Sequence, residues 1–525
     1  SYRLFGFNEF ASRLPSALAY VGTALVTYLL AFELVGFGTA PLAALIYATS
    51  LGPFLFGRFL FTDTLLVFWL SVSLLGLAKI IRRPASRAGP VMLYLGASLA
   101  GLTKGLIGLL FPLAAAAGCA LFLGGRSFVN RLRPWLGLPI IAIVFLPWHI
   151  LLAWRDPSFL SFYFVGEHLV RFLSRREPIN YTPLSVPAFW VSTLLWLFPW
   201  CLFLAAALPR RRGRWSRGLA LAWIWSAGIV LFFTLTGSRM EYYALPAFPA
   251  LAVILASGWR RFIATGRRTL AIAAPSLITA AVGLAAVPIV FLSARSGSAA
   301  LTGLVSHLDG YYRQYFVSHP GASMVFGAEL LQTARPFPIV LLLTGAATLI
   351  ALRMARRRLA FAFWVAGVVP ILGLADAGMR LVAGDRSQRA AAAIVDRNWA
   401  PGARLVVAGD YEKACGITFY TGRPTQVLGG PGADLLFGYR RGDAPEVFLT
   451  PDAFLKEWQS SARVFVLGDR GLTLPGATVL LEGPRSRLLT RGQFGATKNS
   501  RAFRMSGSSV AGSWNFPPGF VRTTP

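Results

Sequence analysis

The first 376 residues are dominated by apolar stretches, near 14–32, 41–56, 64–81, 91–103, 105–123, 135–153, 188–208, 219–236, 241–258, 269–292, 337–353 and 359–376. A segment that crosses a bilayer needs roughly 20 apolar residues and must satisfy its backbone hydrogen bonds internally, as a helix does. Most of these stretches meet that length; the fourth and fifth are short. The region therefore reads as a polytopic α-helical membrane domain with twelve spans. Composition agrees, since 55% of residues are hydrophobic, 14% are charged and the mean hydropathy is +0.59. Soluble chains carry roughly 25% charge.

A formal net charge of +30 would suit a nucleic-acid binder if the cations shared one face. They lie instead in short clusters between apolar runs, so no nucleic-acid partner is expected. Arg82, Arg83 and Arg87; Arg126, Arg131 and Arg133; Arg210, Arg211, Arg212, Arg214 and Arg217; Arg260, Arg261, Arg267 and Arg268; and Arg353, Arg356, Arg357 and Arg358 occupy alternate loops. The positive-inside rule makes those loops cytoplasmic. The exoplasmic side then holds residues 1–13, the turns 57–63, 103–105 and 237–240, the loops 154–187 and 293–336, and everything after 376. In a bacterium this describes a multi-pass inner-membrane protein whose C-terminal segment is periplasmic. Twelve spans with both ends outside predict one further span before Ser1.

Past residue 376 the pattern changes. Apolar residues recur at helical spacing from Asp385 to Trp399, and short β-rich runs follow at Arg404–Val407, Gly416–Tyr420, Glu446–Leu449, Arg463–Leu467 and Ala477–Leu481. Residues 377–483 are thus expected to form a small α/β domain, and 484–525, rich in Ser, Gly, Arg and Pro, a tail without order. Cys119, Cys201 and Cys415 are too scattered for a disulfide framework or a CxxC metal site. The sequence contains no Walker loop, GxSxG elbow or HExxH helix, so nucleotide hydrolysis, serine hydrolysis and zinc proteolysis lack support.

Chemistry-bearing residues gather in the exoplasmic turns, where ionisable groups are costly unless functional or paired. Arg58 and Asp63 flank one turn; Asp63 reads either as a helix cap or as a carboxylate facing an exoplasmic cavity. Lys104, in Leu102-Thr103-Lys104-Gly105, reads either as a snorkelling cation or as a point charge for a phosphate. In the loop 154–187, Glu167, His168 and Arg171 fall at i, i+1 and i+4. That is a salt-bridged interfacial helix or part of a site, and a zinc site from this segment alone is disfavoured by its single His. Arg239, Tyr242 and Tyr243 form an aromatic-belt anchor or a lipid-phosphate contact.

In order and spacing these stretches resemble the bacterial polyprenyl-phosphate-sugar glycosyltransferases of the GT-C fold, the ArnT-like and protein O-mannosyltransferase-like membrane proteins. The resemblance is carried by Leu4 to Leu14, Gly57-Arg58 with Asp63, Leu102 to Gly105, Leu146-Pro147-Trp148 followed by Glu167-His168 and Arg171-Phe172, Phe198-Pro199-Trp200, and Ser238-Arg239 with Tyr243 to Ala250. Phe419 to Arg423 and Phe465 to Leu467 resemble the family's soluble domain, so coverage extends to about residue 483. The resemblance implies thirteen spans, a periplasmic active site, and a sugar donor carried on undecaprenyl phosphate within membrane lipid. It also implies that the catalytic Asp loop and a Glu-Lys-Pro-Pro element lie before Ser1. Asp63, Glu167 and His168 match family positions in the catalytic cavity, and Arg58, Lys104, Arg171, Arg239, Tyr242 and Tyr243 are the candidates for holding lipid phosphate and sugar. Arg239 stands where a Lys is common, which keeps the charge and changes its geometry.

The activity so implied is inverting transfer of a sugar from a polyprenyl phosphate to a lipid, glycan or protein acceptor, with cations stabilising the departing phosphate. A divalent metal stays open as a cofactor. The competing readings are a lipid-linked-sugar flippase, which predicts polar groups on a path to both faces, and a non-catalytic membrane sensor.

Overall fold

In the computed structural model, the described residues are 1–170, 173, 183–208, 217–267, 269–296, 329–430, 432, 435–442, 446–460, 462–483 and 485–491. They fall into two compact units. One comprises Ser1–Arg176, Thr182–Val290 and Arg335–Asp376, and the other contains the chain from Ala377 on.

The first unit is helical. Its main elements are α1 (Glu9–Leu34), α2 (Ala40–Ala48), α3 (Thr62–Arg82), α4 (Ala88–Lys104), α5 (Ile107–Cys119), α6 (Pro134–Val144), α7 (Leu146–Arg155), α8 (Ser161–Val170, wound as a π-helix), α9 (Val186–Trp196), α10 (Arg217–Leu235), α11 (Phe248–Thr265), α12 (Thr269–Ser296), α13 (Pro336–Arg353) and α14 (Arg357–Arg386), the last residues of α12 from Phe291 and of α14 from Ala377 being counted with the second unit. All twelve apolar stretches contain helix. Among the described residues seven helices are long and apolar enough to cross a membrane, and nine spans result if two bent pairs each count once. One pair, α6 and α7, bends by 41° beside Pro147; the other, Val186–Trp196 with Trp200–Ala207, bends by 95° around Pro199. Proline lacks the amide donor that would carry the helix ladder through such a break. The remaining three stretches form the short helices Phe37–Ala48, α4 and α5: the fourth and fifth stretches are short as expected, and the second, 41–56, is shorter than a full span.

The burial pattern suits lipid. On α1, Leu18, Val21, Leu25 and Leu29 are exposed at helical spacing, while Thr23 and Thr27 on the opposite face are fully buried and donate to Ala19 and Thr23 carbonyls at 2.7 Å. A water-soluble helix would show the reverse. Small residues bring helices together, as expected where no hydrophobic force acts between them. A Cβ on Gly96 of α4 would lie 2.7 Å from the Ser73 amide nitrogen and the Trp69 carbonyl oxygen of α3. Three buried indoles find partners: Trp200 donates to Thr49 at 2.9 Å, Trp225 to the Pro246 carbonyl at 2.8 Å and Trp364 to Ser276 at 3.1 Å.

The second unit is a three-layer α/β domain. Its strands are β1 (Arg404–Ala408), β2 (Thr425–Leu428), β3 (Phe448–Leu449), β4 (Val464–Asp469), β5 (Ala477–Glu482) and β6 (Ser486–Arg491), in the order β3-β2-β1-β4-β6-β5. The first four in that order are parallel, and β6 and β5 are antiparallel. Period-two alternation sends Leu405, Val407, Phe465 and Leu467 to one core with Val395, and Val406, Val464 and Val466 to another with Phe454 and Trp458. This double burial makes the central strands near-continuous apolar runs.

Two local expectations are corrected here. Gly416–Tyr420 is not a strand but part of the helix Gly416–Thr421, which buries Ile417 alone and ends at Gly422 in the left-handed conformation (φ 62°). Its β-branched and aromatic residues suggest a strand, but tertiary context overrides propensity. Order also continues past residue 483: β6 pairs with both β4 and β5, a long-range pairing that no local periodicity reveals. Residues 492–525 lie outside the described residues.

Candidate active site

The site is built around the turn between α4 and α5. Gly105 ends α4 at φ 84°, a region favoured only by glycine, and a Cβ there would collide with His168 Nε2 and come 3.0 Å from Tyr163 Oη. His168 in turn accepts a hydrogen bond from the Leu106 amide at Nε2 (3.0 Å) and, through Nδ1, meets the Tyr163 carbonyl at 2.6 Å. The pairing fixes the neutral tautomer protonated on Nδ1. Both ring nitrogens thus serve backbone groups, and His168 clamps α8 onto the turn that carries Lys104.

Lys104 forms an ion pair with Asp63 and lies 5.9, 5.4 and 5.7 Å from the ring centroids of Phe61, Tyr242 and Tyr243. Cations favour aromatic faces at this range. Asp63 is the second residue of α3 and is 6% exposed; its charge complements the helix N-terminus while the ammonium neutralises it. The rings brace one another, Phe61 to Tyr242 at 4.7 Å and Tyr243 to Phe233 at 4.7 Å.

Beside this group lies a cavity of about 590 Å³ with a mainly apolar wall. Asp63, Lys104, Glu167, His168 and Tyr243 reach it, as do Tyr163 and Ser238. Its size is that of a site for a small organic ligand. Of the residues singled out in the sequence, Asp63, Lys104, Glu167, His168 and Tyr243 line this cavity, and Tyr242 packs beside Lys104. Two others do not line the cavity. Arg58 pairs with Asp376 at 3.1 Å and covers the Phe54 ring. Arg239 donates to the carbonyls of Leu184 (2.9 Å), Thr234 (3.0 Å) and Thr236, so it caps the C-terminal end of α10 and ties it to the segment before α9. Arg171 lies outside the described residues. The sequence reading passed over Phe61, whose ring forms a wall of the cation's surroundings; an aromatic among forty Phe residues carries no signal of its own. It also passed over His149, 5% exposed with its ring 5.2 Å from that of Tyr163 and tilted 57° to it, because that histidine sits inside an apolar run. Among the described residues, no three His, Cys, Asp or Glu side chains assemble into a metal-binding group.

Comparison with known proteins follows the same lines. Residues 1–151 match the family described as Dolichyl-phosphate-mannose-protein mannosyltransferase. The undecaprenyl phosphate-alpha-4-amino-4-deoxy-L-arabinose arabinosyl transferase of Erwinia tasmaniensis is 29% identical over 298 residues, 55% of this chain and 52% of that protein. The protein of the same description from Aeromonas hydrophila is 30% identical over 275 residues, 49% of this chain and 47% of its own length. The chain thus spans about half the length of the curated relatives it matches. The crystal structure of ArnT from Cupriavidus metallidurans bound to undecaprenyl phosphate superposes with a TM-score of 0.75 over 94% of this chain and 87% of that one, at 22% identity. The chain thus shares the fold of ArnT along nearly its whole length, and over about half of it resembles the arabinosyl transferases in sequence.

Proposed function

We propose that this protein transfers a sugar from a polyprenyl phosphate, of the undecaprenyl type, to a lipid, glycan or protein acceptor at the periplasmic face of the inner membrane, with inversion at the anomeric carbon. The observation that carries this reading is the Asp63–Lys104 pair, set among three aromatic rings at the edge of a cavity of about 590 Å³. The known relatives act on, or are bound to, undecaprenyl-phosphate compounds, which supports a donor of that class here. The alternate-loop arginine clusters support a periplasmic position for the cavity and for the C-terminal domain.

In the reaction, an acceptor oxygen bonds to the anomeric carbon as the bond from that carbon to the phosphate oxygen breaks. The electron pair leaves with the lipid phosphate and the acceptor proton passes to a carboxylate. Lys104 is assigned to the departing phosphate: a cation held in place before the charge develops needs no reorganisation as the bond breaks. Asp63 orients that ammonium. Glu167, which lines the same cavity, is the candidate to take the acceptor proton. His168 acts as a positioning residue through the Gly105–Leu106 turn, Tyr242 and Tyr243 hold Lys104 and border the donor, and Arg58 and Arg171 remain candidates for donor contacts.

The test is a membrane preparation of the full-length protein supplied with a radiolabelled polyprenyl-phosphate sugar. Label should move from the lipid donor to an acceptor in wild type and not in Lys104→Met. Equal label transfer by both proteins would sink the assignment of Lys104, and none by either would sink the proposed activity.

A further inference from the structure

We propose a second ligand site in the C-terminal domain, at the carboxyl ends of β1 and β4, for a sugar that bears a phosphate. The inference is independent of the transfer reaction and rests on the topology of the sheet. From β1 the chain moves outward through β2 to β3, then returns to place β4 on the other side of β1. The connections leaving β1 and β4 therefore depart in opposite directions, and a crevice opens at the ends of those two strands; open parallel sheets bind ligands at such a switch point.

A cavity of about 210 Å³ occupies that position, floored by Ala408 at the end of β1 and Gly468 near the end of β4. The chain leaves β1 through Gly409 at φ 102°, where a side chain would be strained, so the backbone turns away sharply and leaves the crevice open. Three cations from separate segments reach the cavity, Arg386, Lys413 and Arg485, together with the carboxylates Asp410 and Asp469. Asp410 is fixed, accepting from the Glu412 amide at 3.0 Å and pairing with Lys413 at 3.1 Å. Convergent cations are the chemistry that receives a phosphate, and carboxylates at the rim of such a crevice accept hydroxyl hydrogen bonds from a sugar. The volume falls below the usual range for a drug-sized ligand, so it fits one phosphorylated sugar ring rather than a dinucleotide.

Full-length protein in detergent micelles, titrated calorimetrically with glucose 1-phosphate, tests the site. Binding is expected, with neutral glucose at least tenfold weaker and inorganic phosphate weaker than the sugar phosphate. Lys413→Gln, at an exposed side chain that leaves folding unaffected, should weaken binding about fivefold. Arg485→Gln should weaken it tenfold or more, with the unfolding temperature measured alongside. Lys104→Met should leave this binding unchanged, which separates the site from the membrane cavity. A parallel titration with vesicles carrying a phosphorylated glycolipid distinguishes a lipid headgroup from a free sugar phosphate; weakening by Lys413→Gln in either arm supports the site and names its source. The proposal is overturned if neither ligand binds, if neither substitution weakens binding, or if Lys104→Met abolishes it.

Discussion

Helix α3 anchors an ion pair with a buried carboxylate at each end, and the two differ in a way that separates a site from a strut. Asp63 at its start and Lys79 near its end are sixteen residues apart, about 24 Å along the axis. At the far end Glu33 of α1, 5% exposed, takes Lys79 at 3.0 Å and Arg83 at 3.1 Å on the same oxygen. One carboxylate thus meets two cations, and none of the three lines the cavity beside Lys104. At the near end one carboxylate meets one ammonium, and ring faces of Phe61, Tyr242 and Tyr243 supply the rest of the cation's surroundings. Ring faces attract a cation without consuming its hydrogen-bond donors, so the ammonium keeps the capacity to meet an anion that arrives through the cavity. The far pair is neutralised within the protein, whereas the near pair leaves room for a third charge.

The largest effect should come from removing the near cation. Lys104→Met keeps the length of the side chain and deletes the charge, and transfer of labelled sugar should fall roughly 100- to 1,000-fold, the cost of losing one preorganised donor to developing negative charge. Detergent-solubilised protein should remain monodisperse by size-exclusion chromatography. A drop of less than threefold would place the two ends of α3 in the same structural class and break the contrast.

The far end is the mirror test. Glu33→Gln leaves Lys79 and Arg83 facing each other without their carboxylate, which should lower unfolding stability by about 2 kcal/mol, less than a fully buried pair would lose because both cations reach solvent. Sugar transfer at a temperature well below unfolding should stay within twofold of wild type. Transfer that fell as far as in Lys104→Met, with stability unchanged, would give Glu33 a role in the reaction and remove the distinction.

Between these lies the turn that aims Lys104. Gly105→Ala forces a Cβ against His168 and a left-handed backbone onto alanine, at a cost of roughly 1–2 kcal/mol. Transfer should drop about tenfold through kcat, as the ammonium shifts from its place. His168→Gln, which can still accept from the Leu106 amide, should retain more activity than His168→Ala. Equal loss in the two histidine variants would show that the ring does more than position the turn.

How much of this was legible beforehand depends on the range of the interaction concerned. The apolar stretches needed only local composition, and each contains helix. Lys104 stood out because lysine is rare in this chain and rarer in an apolar setting, and Asp63 because a carboxylate opened a hydrophobic helix. Their contact across forty-one residues could not be read from spacing, nor could the ring of Phe61 or the two cations on Glu33, since each depends on which helix faces which. Arg239 illustrates the converse: its charge and neighbourhood suggest a phosphate ligand, yet carbonyls at the end of α10 take its Nη1 and that of Leu184 takes its Nε. Likewise β6 gained its identity from pairing with β4 rather than from its own alternation.

The smallest expected effect repeats the far-end arrangement in water. Glu482 receives Arg470 and Arg487, each at 3.1 Å, the same one-to-two stoichiometry as Glu33 with its cations, but the carboxylate is about a third exposed. Burial pushes its carboxyl up, and the hydrogen bonds and charges of Arg470 and Arg487 outweigh that push and hold it below the ordinary value of 4.5. A depressed folded-state value means that the group stabilises the domain above pH 4.5 and that this contribution is lost as the pH falls through the lower, folded value. Amide exchange of β5 and β6, compared between wild type and Glu482→Gln, should show wild type better protected at pH 6 by at most about 1 kcal/mol, with the difference shrinking as the pH approaches 3. A difference at pH 6 as large as the loss in Glu33→Gln would mean that solvent screening does not separate the two clusters, and that stoichiometry rather than burial sets their strength.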